Sequence, residues 1–208
     1  MAYRCIIFDM DGTLVDSEPL SSRAFLDLLP DLDVTVEDLT HRIKGGKFAE
    51  VLIDIERYYQ IAIPKDFEPR YRSRVAELFN TDLLPIKGVP DMLERVTQTL
   101  CIASSGPRAK IEHALKQTGL SCYFGGNIFS AYDIGSWKPD PDLFLYTAKK
   151  MGFASQECIV IEDSIIGVNA AKAAGIDVLH YSQNPISDEF SGYKSFTSMS
   201  ELPILVGE

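Results

Sequence analysis

Short runs of apolar residues alternate along the chain with stretches in which apolar residues recur every three or four positions. The runs cover 4–9 (RCIIFD), 100–104 (LCIAS), 127–130 (NIFS), 158–162 (CIVIE) and 176–181 (IDVLHY). Runs this short and this continuously apolar predict strands buried on both faces, and the amphipathic stretches between them predict the helices that cover a parallel sheet. The helices carry their own punctuation. Pro107, after Ser105-Gly106, opens one in which Ile111, Ala114, Leu115 and Thr118 share a face before Gly119 stops it, and Asp140-Pro141 opens another that ends near Gly152.

The stretch from about 17 to 85 breaks this alternation, because it holds no buried-strand run. Ala24, Phe25, Leu28 and Leu29 form one apolar stripe, Val51, Leu52, Ile55 and Tyr59 a second, and Val75, Leu78 and Phe79 a third. Consecutive helices inserted after the first strand predict a lid over the sheet edge. The division expected is a core domain of residues 1–15 and 87–208 with a helical cap domain of residues 16–86.

Composition narrows the class. The chain has 208 residues, 46% hydrophobic and 24% charged, which suits a soluble globular fold with one full core or a core and an insert. A formal charge of -10 without a basic block argues against a grip on nucleic acid or an anionic membrane surface, so an anionic substrate needs a local positive site. The opening MAYRCIIF lacks the features of a secretory signal, and no apolar run approaches a membrane span. The 4 cysteines, Cys5, Cys101, Cys122 and Cys158, show no metal-ligand spacing and read as free, buried thiols of a reducing, cytoplasmic protein. Nothing in the sequence fixes the oligomeric state; a monomer is compatible with it.

In open parallel sheets ligands bind beyond the carboxyl ends of the strands. Asp9 and Asp11 follow the first run, Ser104 and Ser105 end the second, and Glu162 and Asp163 end the fourth, so all of them are expected around one crevice. Alternation along a strand lets Asp9 and Asp11 face the same bound group. So many anions raise one another's pKa unless a cation joins them, and hard oxygen ligands suit Mg2+. SSGP sets hydroxyls and backbone N–H groups at a helix start, a ready anion site, and the prolines of WKPDP fix the backbone that aims Lys138. Taken alone, DMDGT also suits a simple Asx-type turn.

The order DMDGT, ASSG, WKPDP and IEDS resembles the four motifs of the haloacid dehalogenase (HAD) superfamily of phosphohydrolases, and the helical insert resembles its C1-type cap. The resemblance covers essentially the whole chain and implies an α/β fold with a Rossmann-like parallel sheet. It implies that Asp9 is the nucleophile that attacks phosphorus to form an aspartyl phosphate, and that Asp11 is the general acid and then base. Ser104 and Ser105 would bind the phosphoryl group and Lys138 would neutralise it. Mg2+ would be held by Asp9, Asp11 through its main-chain oxygen, and Asp163, with Glu162 a direct ligand or a supporting neighbour.

Dehalogenases of the superfamily lack the second aspartate, so Asp11 favours phosphorus over carbon. The alternative is a beta-phosphoglucomutase-like phosphotransferase. The cap histidine and arginine that would return phosphate to sugar in such a mutase fall at Ser21 and Phe48 here, or at Lys47 if the alignment slips by one, and these departures favour hydrolysis. RIKGGKFAEV, LFNTDLLPIKG and FSAYDIGSWKPDP resemble the 6-phosphogluconate phosphatase branch of the bacterial subfamily. A phosphorylated sugar acid then needs cations in the cap. Arg42, Lys44 and Lys47 are available, with Lys44 and Lys47 expected to bind substrate, although a solvated basic loop would have the same composition. Trp137 reads as a packing anchor, Arg108 as a solvated helix-start cation, and His41, His113 and His180 as surface or core residues outside any motif.

Overall fold

A computed structural model describes residues 3–183 and 187–207, so the outermost ends of the expected core domain lie outside the described residues. Strand β1 (Cys5–Phe8) leads into the acidic turn and then into four helices, α1 (Glu18–Leu28), α2 (Val36–Ile43), α3 (Phe48–Tyr59) and α4 (Phe67–Asp82). Helix α5 (Val89–Arg95) returns the chain to β2 (Thr99–Ser104), followed by α6 (Arg108–Gln117), α7 (Ser121–Phe124), β3 (Ile128–Ser130), α8 (Ala131–Ile134) and α9 (Asp142–Met151). Then come β4 (Cys158–Glu162), α10 (Ile165–Ala173), β5 (Asp177–Tyr181), β6 (Ser195–Phe196) and α11 (Leu202–Val206).

The six strands form one sheet in the order β3-β2-β1-β4-β5-β6, with every pairing parallel. The five expected strands are all present, and β6 was not foreseen because two residues make no run. The chain lays β2 and β3 on one side of β1 and then returns to lay β4 on the other. The strand order therefore reverses at β1, where a ligand crevice opens in sheets of this type.

Side-chain alternation divides the core into two layers. Ile6, Phe8, Leu100, Ile102, Ile159 and Ile161 pack on one face, and Cys5, Ile7, Cys101, Ala103, Cys158 and Val160 on the other. The second face is lined by small side chains, which lets α9 and α10 lie close to the sheet through Leu143, Phe144, Ala170 and Ala171. The thiols of Cys5, Cys101 and Cys158 are free and buried there; Cys122 departs from the expectation, because the short α7 leaves it exposed.

The helical insert has a core of its own that is continuous with the first layer. Phe25 is surrounded by Phe67, Tyr71 and Phe48, with ring centroids 5.3, 4.5 and 6.0 Å away. Burial of Phe25 and Phe67 is worth about 1.5–3 kcal/mol each, which is what holds α1, α3 and α4 together. The chain enters and leaves this segment side by side: Asp16 N donates to Leu84 O at 3.0 Å and Ile86 N to Leu14 O at 3.0 Å. Among the described residues no helix is long and apolar enough to cross a membrane.

Candidate active site

The carboxyl ends of β1, β2 and β4 open into one cavity of about 460 Å3, and α1–α4 close its other side. Asp9, Asp11, Ser104, Ser105, Lys138, Glu162, Asp163 and Lys44 all line it. The structure thus brings together residues separated by more than 150 positions, as the strand-end rule requires.

Two aspartates from one turn meet different partners. Asp9, at the end of β1, accepts a hydrogen bond from Lys138 Nζ at 2.5 Å. Burial pushes its carboxyl well up; Lys138 opposes that shift, and Glu162, Asp163 and Asp11 add to it. Asp11 turns away from this pair: its Oδ1 accepts from Lys110 Nζ at 2.7 Å and from the hydroxyl of Ser17. Gly12, between the strand and the helices, has a φ of +79° and lies so close to Asp163 that a Cβ would stand 2.1 Å from Oδ2. Only a glycine allows both the turn and this approach.

Glu162 is tied on both oxygens. Oε1 accepts from Lys138 Nζ at 2.7 Å, and Oε2 accepts from the backbone N–H and the hydroxyl of Ser164 at 2.8 and 2.9 Å. Ser164 is also the N-cap of α10, accepting from Gly167 N at 3.1 Å. Asp163 is held less completely. Its Oδ1 accepts from Thr13 Oγ1 at 3.3 Å, while its buried Oδ2 has a single partner among the described residues, the Lys44 ammonium 2.6 Å away. Burial, chiefly, with Glu18 beside it, raises the Asp163 carboxyl to about 8. Burial likewise raises Glu18 to about 7.

Opposite the carboxylates, Ser104 ends β2 and is buried, with its Oγ accepting from Gly106 N at 3.0 Å. The hydroxyl proton of Ser104 is therefore left to donate into the cavity, at the start of α6. This set of groups, an anion cradle facing a carboxylate cluster through a buried lysine, is what phosphoryl chemistry needs.

Comparison with known proteins agrees. The family described as haloacid dehalogenase-like hydrolase matches residues 3–175. This chain belongs to that family. It is 35% identical over 205 residues to the 6-phosphogluconate phosphatase of Escherichia coli (strain K12), covering 96% of this chain and 93% of that protein. It is 31% identical over 191 residues to the phosphorylated carbohydrates phosphatase of Thermotoga maritima, covering 88% and 87%. A solved structure of a conserved haloacid dehalogenase-like protein of unknown function from Agrobacterium tumefaciens superposes with a TM-score of 0.86 at 29% identity, covering 98% of this chain and 97% of that one. As a haloacid dehalogenase-like hydrolase with phosphatase relatives, the chain is a phosphoric monoester hydrolase.

Within this haloacid dehalogenase-like site some cations stand where the sequence did not place them. Lys44 lines the cavity but its ammonium sits on Asp163, 3.6 Å from Glu18. Lys47 lies outside the cavity lining, over the Trp137 ring at 4.4 Å. Arg42 stacks on Tyr58 at 3.4 Å and pairs with Asp54 at 2.8 Å. Arg108 pairs with Asp133 at 2.7 Å and donates to Ile128 O, a structural tie across β3.

Lys110 was missed, since a lysine two residues into a helix carries no local signal; its distance from the Ser104 turn, roughly one and a half helical turns, was the available clue. His113, one further turn along the same helix, also lines the cavity and pairs with Asn80 at 2.8 Å. Arg72 on α4 lines the wall, hydrogen-bonded to the hydroxyl of Tyr132 at 2.9 Å.

Proposed function

We propose that the protein is a Mg2+-dependent phosphatase of small phosphorylated sugars or sugar acids, with 6-phosphogluconate the leading substrate, acting through an aspartyl phosphate on Asp9. The observation that carries this reading is the separation of the two aspartates: Asp9 is held by Lys138, and Asp11 by Lys110 and Ser17. Groups so differently partnered can take different roles. Asp9 Oδ attacks phosphorus while Lys138 offsets the charge that gathers on the transferring oxygens. Asp11 gives its proton to the departing alkoxide and takes one from the water that opens the acyl phosphate.

The donor set fits a hard divalent cation. Oxygens of Asp9, Glu162 and Asp163 lie within 4.8 Å of one another, and the buried Asp163 Oδ2 has only the Lys44 ammonium as a partner among the described residues. Asp9, Asp163 and the main-chain oxygen of Asp11 would hold the ion, which supplies charge neutralisation for the phosphoryl group when bound. Glu162, with both oxygens taken by Lys138 and Ser164, acts as the support that aims Lys138.

The domain boundaries follow the same reading. Residues 16–86 act as a cap on a core of residues 1–15 and 87–208, hinged where Leu14–Asp16 and Leu84–Ile86 run side by side. The cap wall is largely apolar (Phe25, Phe48, Val51, Tyr71), with Lys44 and Arg72 available to an anionic far end. Ser21 and Phe48 both face the cavity at the positions where a mutase would present its histidine and arginine, which supports water as the acceptor. The test is a panel of sugar phosphates with and without Mg2+, following free phosphate and isomers. Release of phosphate that requires Mg2+ and Asp9 supports the proposal; isomer without phosphate, or full activity in Asp9→Asn, overturns it.

A further inference from the structure

Lys44 caps the C-terminal end of α2, in the helical insert, yet its ammonium reaches the sheet. Nζ is 2.6 Å from Asp163 Oδ2 and 3.6 Å from Glu18 Oε2. The loop behind it is seated firmly: Gly45 has a φ of +69°, and a Cβ there would lie 3.0 Å from Cβ and Oγ of Ser164. The other lysines that line the cavity are committed elsewhere, Lys138 to Asp9 and Glu162, and Lys110 to Asp11. Lys44 therefore supplies the positive charge at the one fully buried carboxylate oxygen of the cluster that has no other partner among the described residues.

We propose that Lys44 is the resident counter-charge of the metal site: a divalent cation and this ammonium exclude one another at Asp163 Oδ2, so that loading the metal releases Lys44 from the sheet and leaves it, beside Glu18, to meet the anionic far end of the substrate. The inference rests on the Mg2+-dependent reading above. Geometry supplies the exclusion. The ammonium 2.6 Å from Oδ2 takes one of its two lone pairs and sets a full positive charge beside the place of a bound Mg2+, which sits about 2.0–2.1 Å from its carboxylate oxygens. Two cations sharing that atom would also repel each other in a buried site where little water screens them. The exchange makes one side chain report metal loading to the cap: before loading Lys44 pins the α2–α3 loop to β4, and afterwards it is free for the ligand.

The test is direct titration of the substrate-free full-length protein with Mg2+ by calorimetry, comparing wild type, Lys44→Met, Lys44→Gln, Lys47→Met and Asp163→Asn, with circular dichroism confirming that each is folded. Lys47 carries the same charge on the same loop but lies over Trp137, away from Asp163. The expected result is Mg2+ affinity raised about 5- to 150-fold in both Lys44 variants, little changed in Lys47→Met and lost in Asp163→Asn. With Mg2+ saturating, Lys44→Met should raise KM for a phosphorylated sugar acid with kcat nearly kept. If wild type binds Mg2+ through Asp163 and the Lys44 variants bind no more tightly, or Lys47→Met tightens binding equally, the exchange is overturned and the phosphatase reading stands. If no chain binds Mg2+, both fall.

Discussion

Replacing Lys138 by Met removes the ammonium and keeps most of the stem. The lysine is 5% exposed, and its Nζ serves Asp9 at 2.5 Å and Glu162 at 2.7 Å. Glu162 retains both hydrogen bonds from Ser164, so the larger debt falls on Asp9, which would lose the partner that opposes its burial. Removing one member of a buried ion pair costs about 3–5 kcal/mol. For a chain of this length each kcal/mol moves Tm by about 2–4 °C, giving a fall of about 6–20 °C in the metal-free protein. Protonation of Asp9 relieves the penalty, so the deficit should be smaller near pH 5 than near pH 8, and Mg2+ should shrink it by supplying positive charge. Turnover should fall about 10^2- to 10^3-fold, the usual cost of losing one preorganised electrostatic group. Differential scanning calorimetry in EDTA and in Mg2+, with phosphate release measured alongside, checks these values. A Tm change below about 3 °C in EDTA at pH 8 would refute the claim that Lys138 compensates two buried carboxylates.

Lys110→Met should slow alkyl phosphates more than p-nitrophenyl phosphate, by about 10- to 100-fold for a lost charged hydrogen bond to Asp11, because only the alkoxide needs a proton as it leaves; equal losses would remove Lys110 from that role. Gly167→Ala should cut kcat while α10 stays folded, since its Cβ would stand 1.7 Å from Glu162 Oε1 and push aside the support of Lys138; unchanged kcat would show Glu162 to be dispensable. Asp163, raised to about 8, and Glu18, raised to about 7, keep protons in the folded state that the unfolded chain releases near pH 4. Their contribution is therefore full below pH 4 and lost as pH rises through 7–8, so metal-free Tm should decline across that window, less so in Asp163→Asn and less so in Mg2+. Inorganic phosphate should bind more weakly in EDTA than in Mg2+ by calorimetry, and equal affinity would argue against a metal on the carboxylates that face the anion cradle.

Apart from Lys138, which the WKPDP motif marked, the groups that were legible in the sequence are those at or just beyond strand ends. Asp9, Ser104 and Glu162 each follow a continuous apolar run directly, and Asp163 comes one residue later, so parallel pairing alone brings them to one edge. The chain order of the apolar runs also foretold five strands, and the missing strand run between 17 and 85 foretold the helices. What stayed hidden depends on helical phase and tertiary reach. Lys110 meets Asp11 only because α6 starts at Arg108 and turns its first face back over β2. Arg42, Lys44 and Lys47 form one basic cluster in sequence, but the end of α2 sends them apart: Arg42 to Tyr58, Lys44 to Asp163 and Lys47 to Trp137. Composition cannot separate three cations that the backbone aims in three directions.

The charge balance of the site explains why so acidic a chain can handle an anion. Asp9, Asp11, Glu18, Glu162 and Asp163 face Lys44, Lys110 and Lys138 around one cavity, five carboxyl groups against three ammonium groups, while the charge of Arg72 on the wall is balanced by Glu68. Fully ionised, the set carries two negative charges too many; burial, chiefly, and then the neighbouring carboxylates raise Asp9, Glu18 and Asp163. One divalent cation cancels the excess without any change of protonation in the lysines. A phosphate dianion entering before that cation would meet net repulsion; entering after it, the dianion meets a neutral site with three movable or directed ammonium groups. On the proposed reading the count favours metal before phosphorylated substrate: Asp9, Asp163 and the main-chain oxygen of Asp11 would hold the ion, which would supply positive charge, while Lys138 stays on Asp9 and Glu162.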